Sequence, residues 1–214
     1  MSCVLVKVLQ MLGGIPFVKT TVPQTMMTIL ASNPIDGIFK NPQSIKFLPG
    51  GSSSGEGALV GAKGSVLGFG SDIGGSVRLP AAFCGVVGLK PTVVDVINEW
   101  SRCGLDGVVC PAGGFTALPI KAKGLYSPLL SYIFVWNLVN FPAGTVPVTK
   151  VSRADIENLQ SNPIFRSTPV QRNISNLQEN TEGLSVSVQC VSLPWKEELC
   201  LNLMREVETI RFAI

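Results

Sequence analysis

An α/β fold is the fold class that the sequence predicts. Helical and strand-like patterns alternate along its 214 residues, and no internal repeat is visible. Hydrophobic residues make up 46% of the chain, charged residues only 14%, and the mean hydropathy is +0.38. A chain of this length and composition can bury a sizeable core around a largely covered sheet.

The first half of the chain alternates short apolar runs with glycine and proline. Gly13 and Gly14 end the first helical pattern, and Pro91 stops the last strand of this half. The predicted elements are a helix over 4–12, a strand over 15–19, a tightly packed helix over 55–66, and a helical turn that leads into a strand over 77–90.

The alternation of helical and strand-like patterns continues in the second half of the chain, from residue 93 onward. The period-two pattern of residues 184–191 is typical of a strand, and Leu199, Leu203 and Val207 lie on one face of the last helix. The predicted elements are a helix end over 93–102, a strand over 107–110, a helix over 129–140, a strand over 144–148, a polar loop over 155–182, a strand over 184–191 and a helix over 196–210.

Composition excludes several classes of function. The net charge of +3 is small and its lysines and arginines are scattered, so no nucleic-acid partner is expected. Six cysteines without a CxxC pair, and no histidine, argue against a metal site and favour free thiols in a reducing, intracellular compartment. No apolar run is long enough to predict a transmembrane segment.

A glycine-serine block between Pro49 and Thr92 carries the chemistry. In Ile73-Gly74-Gly75-Ser76, two residues without Cβ allow successive N–H groups to point into one concavity, which suits an anion or an oxyanion. Ser76 would then be a candidate nucleophile. Without histidine, its base would be a buried lysine acting through a second hydroxyl, which the Ser52–Ser54 cluster can supply.

The residues alone leave other interpretations open. The block is also compatible with a structural or phosphate-binding loop. Residues 57–65 lack the Gly-Lys-Ser/Thr order of a P-loop, and residues 68–74 contain one residue more than a dinucleotide-binding turn. A nucleotide-binding module therefore stays as an alternative.

Several residues near the block have a simpler structural interpretation. Cys84, Trp195 and Met204 are expected in the core. Glu56 and Asp72, which lie among glycines, are expected to accept hydrogen bonds from backbone N–H groups rather than to act as acids.

The block resembles the amidase-signature family. The resemblance rests on Gly-Gly-Ser-Ser at 50–53, on Gly-Ser-Asp-Ile-Gly-Gly-Ser-Val-Arg at 70–78 and on Cys-Gly-Val-Val-Gly-Leu-Lys-Pro-Thr at 84–92. Flanking segments, such as residues 16–26, 140–149 and 193–201, are similar to the branch of the family that hydrolyses fatty-acid amides. The resemblance implies an amidase-signature fold with a mixed, twisted central sheet flanked by helices.

The resemblance also implies one incomplete domain over residues 1–214. Residues 1–92 would be the signature-bearing part, and residues 93–214 a C-terminal part joined after a missing central segment. For the whole family it implies a fatty-acid amide substrate, no metal or organic cofactor, and an intracellular, peripherally membrane-associated enzyme.

Roles follow from the resemblance by position. It implies a nucleophile at Ser76, a bridging serine at Ser52 that passes the proton toward the base, and a supporting serine at Ser53. The remaining roles are an oxyanion hole from the N–H groups of Ile73, Gly74, Gly75 and Ser76, a substrate contact at Met26, and a loop-holding pair at Asp72 and Arg78.

One departure from the family concerns its catalytic lysine. That lysine lies farther upstream of the first serine than Met1 allows, and no other lysine before residue 76 takes its place. The lysines considered are Lys7, Lys19, Lys40, Lys46 and Lys63. We therefore expect impaired amidase activity, with a catalytically inactive binding or homodimerisation module as the alternative.

Overall fold

The computed structural model describes residues 4–92, 100, 104–122 and 130–211, and these form the predicted α/β fold. Seven α-helices are described: α1 Val4–Met11, α2 Ser54–Gly61, α3 Arg78–Cys84, α4 Ser131–Leu138, α5 Arg153–Ser161, α6 Pro169–Leu177 and α7 Glu197–Arg211. The strands are β1 Ser32–Asn33, β2 Gly37–Ile38, β3 Gly88–Lys90, β4 Val108–Pro111, β5 Ala143–Lys150 and β6 Ser185–Val191. Short 3-10 turns lie at Gln24–Met26 and Pro163–Arg166.

The central sheet has four strands in the order β3-β5-β6-β4, and each described pair is antiparallel. The registers Thr145↔Gln189 and Val146↔Val188 fix the long β5–β6 pair. A second, two-stranded sheet joins β1 and β2. The predicted strands over 107–110, 144–148 and 184–191 are therefore confirmed to within a few residues.

The two faces of the central sheet are covered by different helices. Val146 and Cys190 pack with Cys200 and Met204 of α7 on one face. The neighbouring residues Thr145 and Gln189 point the other way, because side chains alternate along a strand, and they contact Arg78 of α3. A larger core lies beside α3 and includes Phe47, Leu79, Phe83, Leu118, Ile133 and Leu184.

Several local predictions are confirmed. The helix over 4–12, the helical turn into a strand over 77–90 and the last helix are all present. The helix predicted over 55–66 is shorter and ends at Gly61. Met204 and Cys84 are buried as expected. The helix predicted over 93–102 lies, except for Trp100, outside the described residues.

Three predictions are wrong. Residues 15–19 do not form a strand; Ile15 and Phe17 are largely exposed, and Pro16 has no N–H to donate to a ladder. Trp195 is 58% exposed rather than in the core. The polar loop predicted over 155–182 is instead largely helical, with α5 and α6 joined by a 3-10 turn.

Two capping boxes explain why the polar segment is helical. The Ser152 side chain accepts from the N–H of Asp155, whose carboxylate binds the Ser152 N–H in return. Thr168 and Gln171 repeat this exchange at the start of α6, with Pro169 at its first position. Each box satisfies N–H groups that a helix start leaves without partners.

Among the described helices, none combines the length and the apolar character that a membrane crossing requires.

Candidate active site

The Asp72 carboxylate organises the loop of residues 71–77, which carries Ser76. Its Oδ1 accepts a hydrogen bond from the Gly75 N–H at 2.7 Å. Its Oδ2 accepts from the N–H groups of Val77 at 3.1 Å and Arg78 at 3.2 Å. The loop is thus wrapped around one carboxylate and leads directly into α3.

Arg78 pairs with the same carboxylate in a bidentate way. Its Nε donates to Asp72 Oδ2 at 3.0 Å and its Nη2 to Oδ1 at 2.9 Å. The side chains of Arg78 and Asp72 are 0% and 3% exposed, respectively. Such a fork-to-fork pair fixes orientation as well as distance.

Residues far away in sequence complete this network. Asn137 of α4 donates from Nδ2 to the Asp72 carbonyl at 2.8 Å and to Oδ1 at 3.0 Å, and its Oδ1 accepts from Arg78. Arg78 also donates to the Ile133 carbonyl at 2.9 Å and to Gln189 Oε1 at 3.2 Å. Sequence reasoning missed Asn137 and Gln189, because nothing in the local pattern links them to residues 71–78.

The network decides the charge state of Asp72. Burial raises the pKa of this carboxyl, but the hydrogen bond and charge of Arg78, with donors from Asn137 and Gly75, outweigh it and lower the pKa to about 2. Asp72 is therefore a permanent anion near neutral pH and does not act as a general acid.

The two serine clusters meet at the start of α2. The Ser53 N–H donates to the Ser76 carbonyl at 3.0 Å, and the Ser53 hydroxyl donates to the Ser71 carbonyl at 3.4 Å. Ser52, which follows a cis peptide bond with Gly51, is 2% exposed, whereas Ser76 is half-buried. This contact brings together two serines, Ser53 and Ser76, that are 23 positions apart in sequence.

Small residues allow α2 to approach α3 this closely. A Cβ at Gly57 would lie 2.7 Å from the Cβ of Pro80, and one at Gly61 would lie 2.9 Å from Pro42 and 3.1 Å from the Cβ of Cys84. No larger residue fits at these two positions without displacing a neighbour. The helix that carries the first cluster is therefore held directly against the helix that follows the nucleophile candidate.

Of the four N–H groups expected to form the oxyanion hole, one is hydrogen-bonded within the described structure and three are not. The Gly75 N–H is already bound by Asp72. The N–H groups of Ile73, Gly74 and Ser76 make no hydrogen bond within the described part of the chain. Gly75 adopts φ +110°, and a Cβ there would lie 2.9 Å from Ile133, so this position requires glycine. Three free donors remain on the loop beside Ser76.

Apolar side chains are exposed on this loop, on the segment just before it and in the turn at Met26. Ile73 is 74% exposed and Phe69 46%. Met26, which is 43% exposed, has a positive φ of 57° in the turn before Thr28. The Thr28 carbonyl lies 2.6 Å from where a Cβ of Gly51 would be, so the Met26 turn approaches the first serine cluster.

Three buried cysteines of the described structure are not activated thiols. Burial raises the pKa of Cys84 and of Cys190 to about 12, and that of Cys200 to about 11, so these thiols stay protonated.

The described lysines do not supply a base in direct contact with the serines. None of their ammonium groups donates a hydrogen bond to Ser52 or Ser76. Burial, with the nearby charge of Arg78, lowers the pKa of Lys90, but its Nζ donates to the Pro91 carbonyl at 2.7 Å.

Part of this chain is similar in sequence to known amidases. Residues 1–96 match the family model described as Amidase. Fatty-acid amide hydrolase 1 of Sus scrofa is 53% identical over 108 residues, which cover 50% of this chain and 18% of that protein. A Schizosaccharomyces pombe protein named as an amidase is 46% identical over 194 residues, covering 78% of this chain and 36% of that protein.

A solved structure of a fatty acid amide hydrolase has the same fold. It superposes with a TM-score of 0.71 at 17% identity, covering 96% of this chain and 67% of that one. The chain thus has the α/β fold of this amide hydrolase. The match to the amidase family is carried by residues 1–96 of the chain. It spans about a fifth to a third of the length of the two sequence relatives.

We expect Arg78→Met to destabilise the protein by about 3–5 kcal/mol, because it leaves the Asp72 charge buried without its partner. Arg153→Met is the matched control. It breaks an exposed ion pair with Glu157, whose side chains are 70% and 64% exposed, and should cost at most about 0.5 kcal/mol. Urea unfolding of both variants measures the difference. A cost below about 1 kcal/mol for Arg78→Met would contradict the assigned role.

The lowered pKa of Asp72 predicts a specific acid dependence. A carboxyl with pKa 3.8 when unfolded and about 2 when folded stabilises the protein fully above pH 4 and loses this contribution as the pH falls toward 2. We expect the free energy of unfolding to lose about 2 kcal/mol between pH 5 and pH 2 through this group. Asp72→Asn should lack this component, whereas Asp106→Asn, at an exposed position, should keep it. Equal pH dependence in both variants would rule the assignment out.

Proposed function

We propose that this chain carries the nucleophile of a serine amidase that cleaves fatty-acid amides. The observation that carries the proposal is the hydrogen bond from the Ser53 N–H to the Ser76 carbonyl, because it joins the two serine clusters of the amidase segment. The two relatives whose names include amidase or amide hydrolase support the same reaction class.

The reaction would proceed through an acyl-serine. The Ser76 hydroxyl attacks the amide carbonyl, and its proton passes through Ser52 toward a base and then to the leaving amine. The N–H groups of Ile73, Gly74 and Ser76 stabilise the negative charge on the tetrahedral oxygen. The C–N bond breaks, the amine leaves, and water then hydrolyses the acyl-serine ester.

An apolar acyl chain is the proposed substrate group. Ile73, Phe69 and Met26 expose apolar surface on the segments around Ser76, and one of the relatives is named for hydrolysis of fatty-acid amides. Burial of each methylene of an acyl chain contributes about 0.8 kcal/mol, so even a short apolar contact would favour lipid-like amides.

We further propose that residues 93–214 are the C-terminal part of an amidase domain, joined to residues 1–92 without a central segment. The family model matches only residues 1–96, whereas the structural match covers nearly the whole chain and two thirds of its counterpart. On this proposal the 214-residue polypeptide contains the nucleophile but has low turnover. Loss of a general base typically lowers rates by about 10²–10⁴.

A fluorophosphonate probe tests the proposed nucleophile directly. We expect slow labelling of Ser76 in the wild-type polypeptide, no labelling in Ser76→Ala, and slower labelling in Ser52→Ala. Ser54→Ala is the matched control, because the Ser54 hydroxyl is buried without a hydrogen-bond partner. Mass spectrometry identifies the labelled peptide. Labelling elsewhere, or labelling that survives Ser76→Ala, would refute the assignment.

A second candidate function is a homodimerisation module. Between residues 11 and 18, Met11, Ile15 and Phe17 are 66–86% exposed. Several exposed apolar side chains on one short segment favour an interaction site, and we propose a second copy of this chain as its occupant.

Sedimentation velocity at micromolar concentration tests this second candidate. We expect a dimer for the wild type and a shift to monomer for Ile15→Lys, which changes a side chain that is 86% exposed and should not affect folding. Ile35→Lys, at a position 92% exposed in the β1–β2 turn, is the matched control and should stay dimeric. A monomeric wild type, or the same shift in both variants, would exclude this interface.

A further inference from the structure

Glu56 lies in the first turn of α2 and connects two distant segments. Its Oε2 accepts a hydrogen bond from the Thr20 hydroxyl at 2.6 Å, and its Oε1 accepts one from the Phe69 N–H at 2.9 Å. Beside it, the Gly55 N–H donates to the Thr21 carbonyl at 2.9 Å. Both carboxylate oxygens are therefore engaged, and the position near the N-terminus of a helix favours their negative charge.

The loop of residues 68–70 is fitted between Glu56 and Ser53. A Cβ at Gly68 would lie 2.5 Å from Glu56 Oε1, and one at Gly70 would lie 2.3 Å from the Ser53 hydroxyl oxygen. Glu56 and Ser53 are three residues apart, so they face the same side of the helix start. The loop can approach this closely because both of its contact positions are glycines.

Ser53 in turn contacts the backbone of the 71–77 loop near each of its two ends. Its hydroxyl donates to the Ser71 carbonyl, and its N–H donates to the Ser76 carbonyl. A displacement of residues 68–70 would therefore move Ser53, and with it the backbone of Ser76. A shift of about 1 Å in a reacting group is enough to cost about 10²-fold in rate.

We propose that Glu56 is a positioning residue for Ser76, acting through the Phe69 N–H, Gly70 and Ser53. This inference rests on the proposed function of Ser76 as the nucleophile. Glu56 does not touch the nucleophile, and both of its oxygens accept hydrogen bonds from Thr20 and Phe69, so its contribution is geometric rather than acid–base. It complements the Asp72–Arg78 pair, which holds the same loop from the opposite end.

Two substitutions at Glu56 separate geometry from charge. Glu56→Ala removes both hydrogen bonds, and we expect the rate constant for fluorophosphonate labelling of Ser76 to fall about tenfold or more. Glu56→Gln keeps an acceptor for the Phe69 N–H and can donate to the Thr20 hydroxyl, so its rate should stay within about twofold of the wild type. Glu157→Ala, on the exposed surface of α5, is the matched control and should label like the wild type.

All labelling is measured at a temperature at which circular dichroism shows every variant to be folded. Rescue by glutamine is the result that a general loss of stability would not produce. Gly70→Ala adds an independent test, because it disturbs Ser53 without changing Glu56 and should slow labelling in the same way. Equal labelling rates for wild type and Glu56→Ala would overturn the proposal.

Hydrogen exchange keeps this test separate from that of the proposed function. If the wild type does not label at Ser76, the nucleophile assignment fails, but positioning is still measured by amide exchange over residues 66–77. Faster exchange there in Glu56→Ala, with wild-type exchange in Glu56→Gln, supports the positioning role. Unchanged exchange in Glu56→Ala refutes it whether or not Ser76 reacts.

Discussion

The buried ion pair between Asp72 and Arg78 is the interaction on which the rest of the site depends. One carboxylate accepts from two backbone N–H groups of the 71–77 loop and from the first N–H of α3, and one guanidinium ties that carboxylate to α4 and β6. A buried pair of this kind adds little net stability by itself, because both charges must leave water. Its value lies in geometry: every partner is in place only when the loop has a single conformation.

That conformation also decides which backbone donors stay available. Asp72 binds the Gly75 N–H and leaves those of Ile73, Gly74 and Ser76 without partners in the described structure. Unpaired N–H groups on a half-buried loop are costly unless a ligand or water meets them. The loop is therefore organised to receive a negatively polarised oxygen, and this agrees with the reaction proposed for Ser76.

The sequence was informative where function depends on local chemistry. The glycine-serine block and the absence of histidine pointed to Ser76 and to the Ser52–Ser54 cluster as candidates. The separate roles expected of Ser52 and Ser53, and the fold, came from the resemblance to a known signature. Asn137 and Gln189 could not be found in this way. Their roles arise from tertiary contacts across 65 and 111 residues, and no local pattern encodes such a contact.

The errors in the second half of the chain have a different origin. Residues 155–182 are polar, and polarity was taken as a sign of a loop, although Ser152 with Asp155 and Thr168 with Gln171 are sequence signals for helix starts. Trp195 was expected in the core rather than at a ligand. Burial of a single aromatic residue depends on what packs beside it, and in this fold the residue lies at a turn with φ 62°.

The long reach of Arg78 also has a consequence for the order of events during synthesis. Its partners Ile133 and Gln189 lie 55 and 111 residues farther along the chain, so they leave the ribosome well after the 71–77 loop. Translation at about 5–20 residues per second makes this delay several seconds. During that interval Arg78 can pair with Asp72 but lacks its acceptors on Ile133 and Gln189. On the function proposed for Ser76, its site is therefore complete only when β6 has been made, which ties the maturation of the site to completion of the sheet.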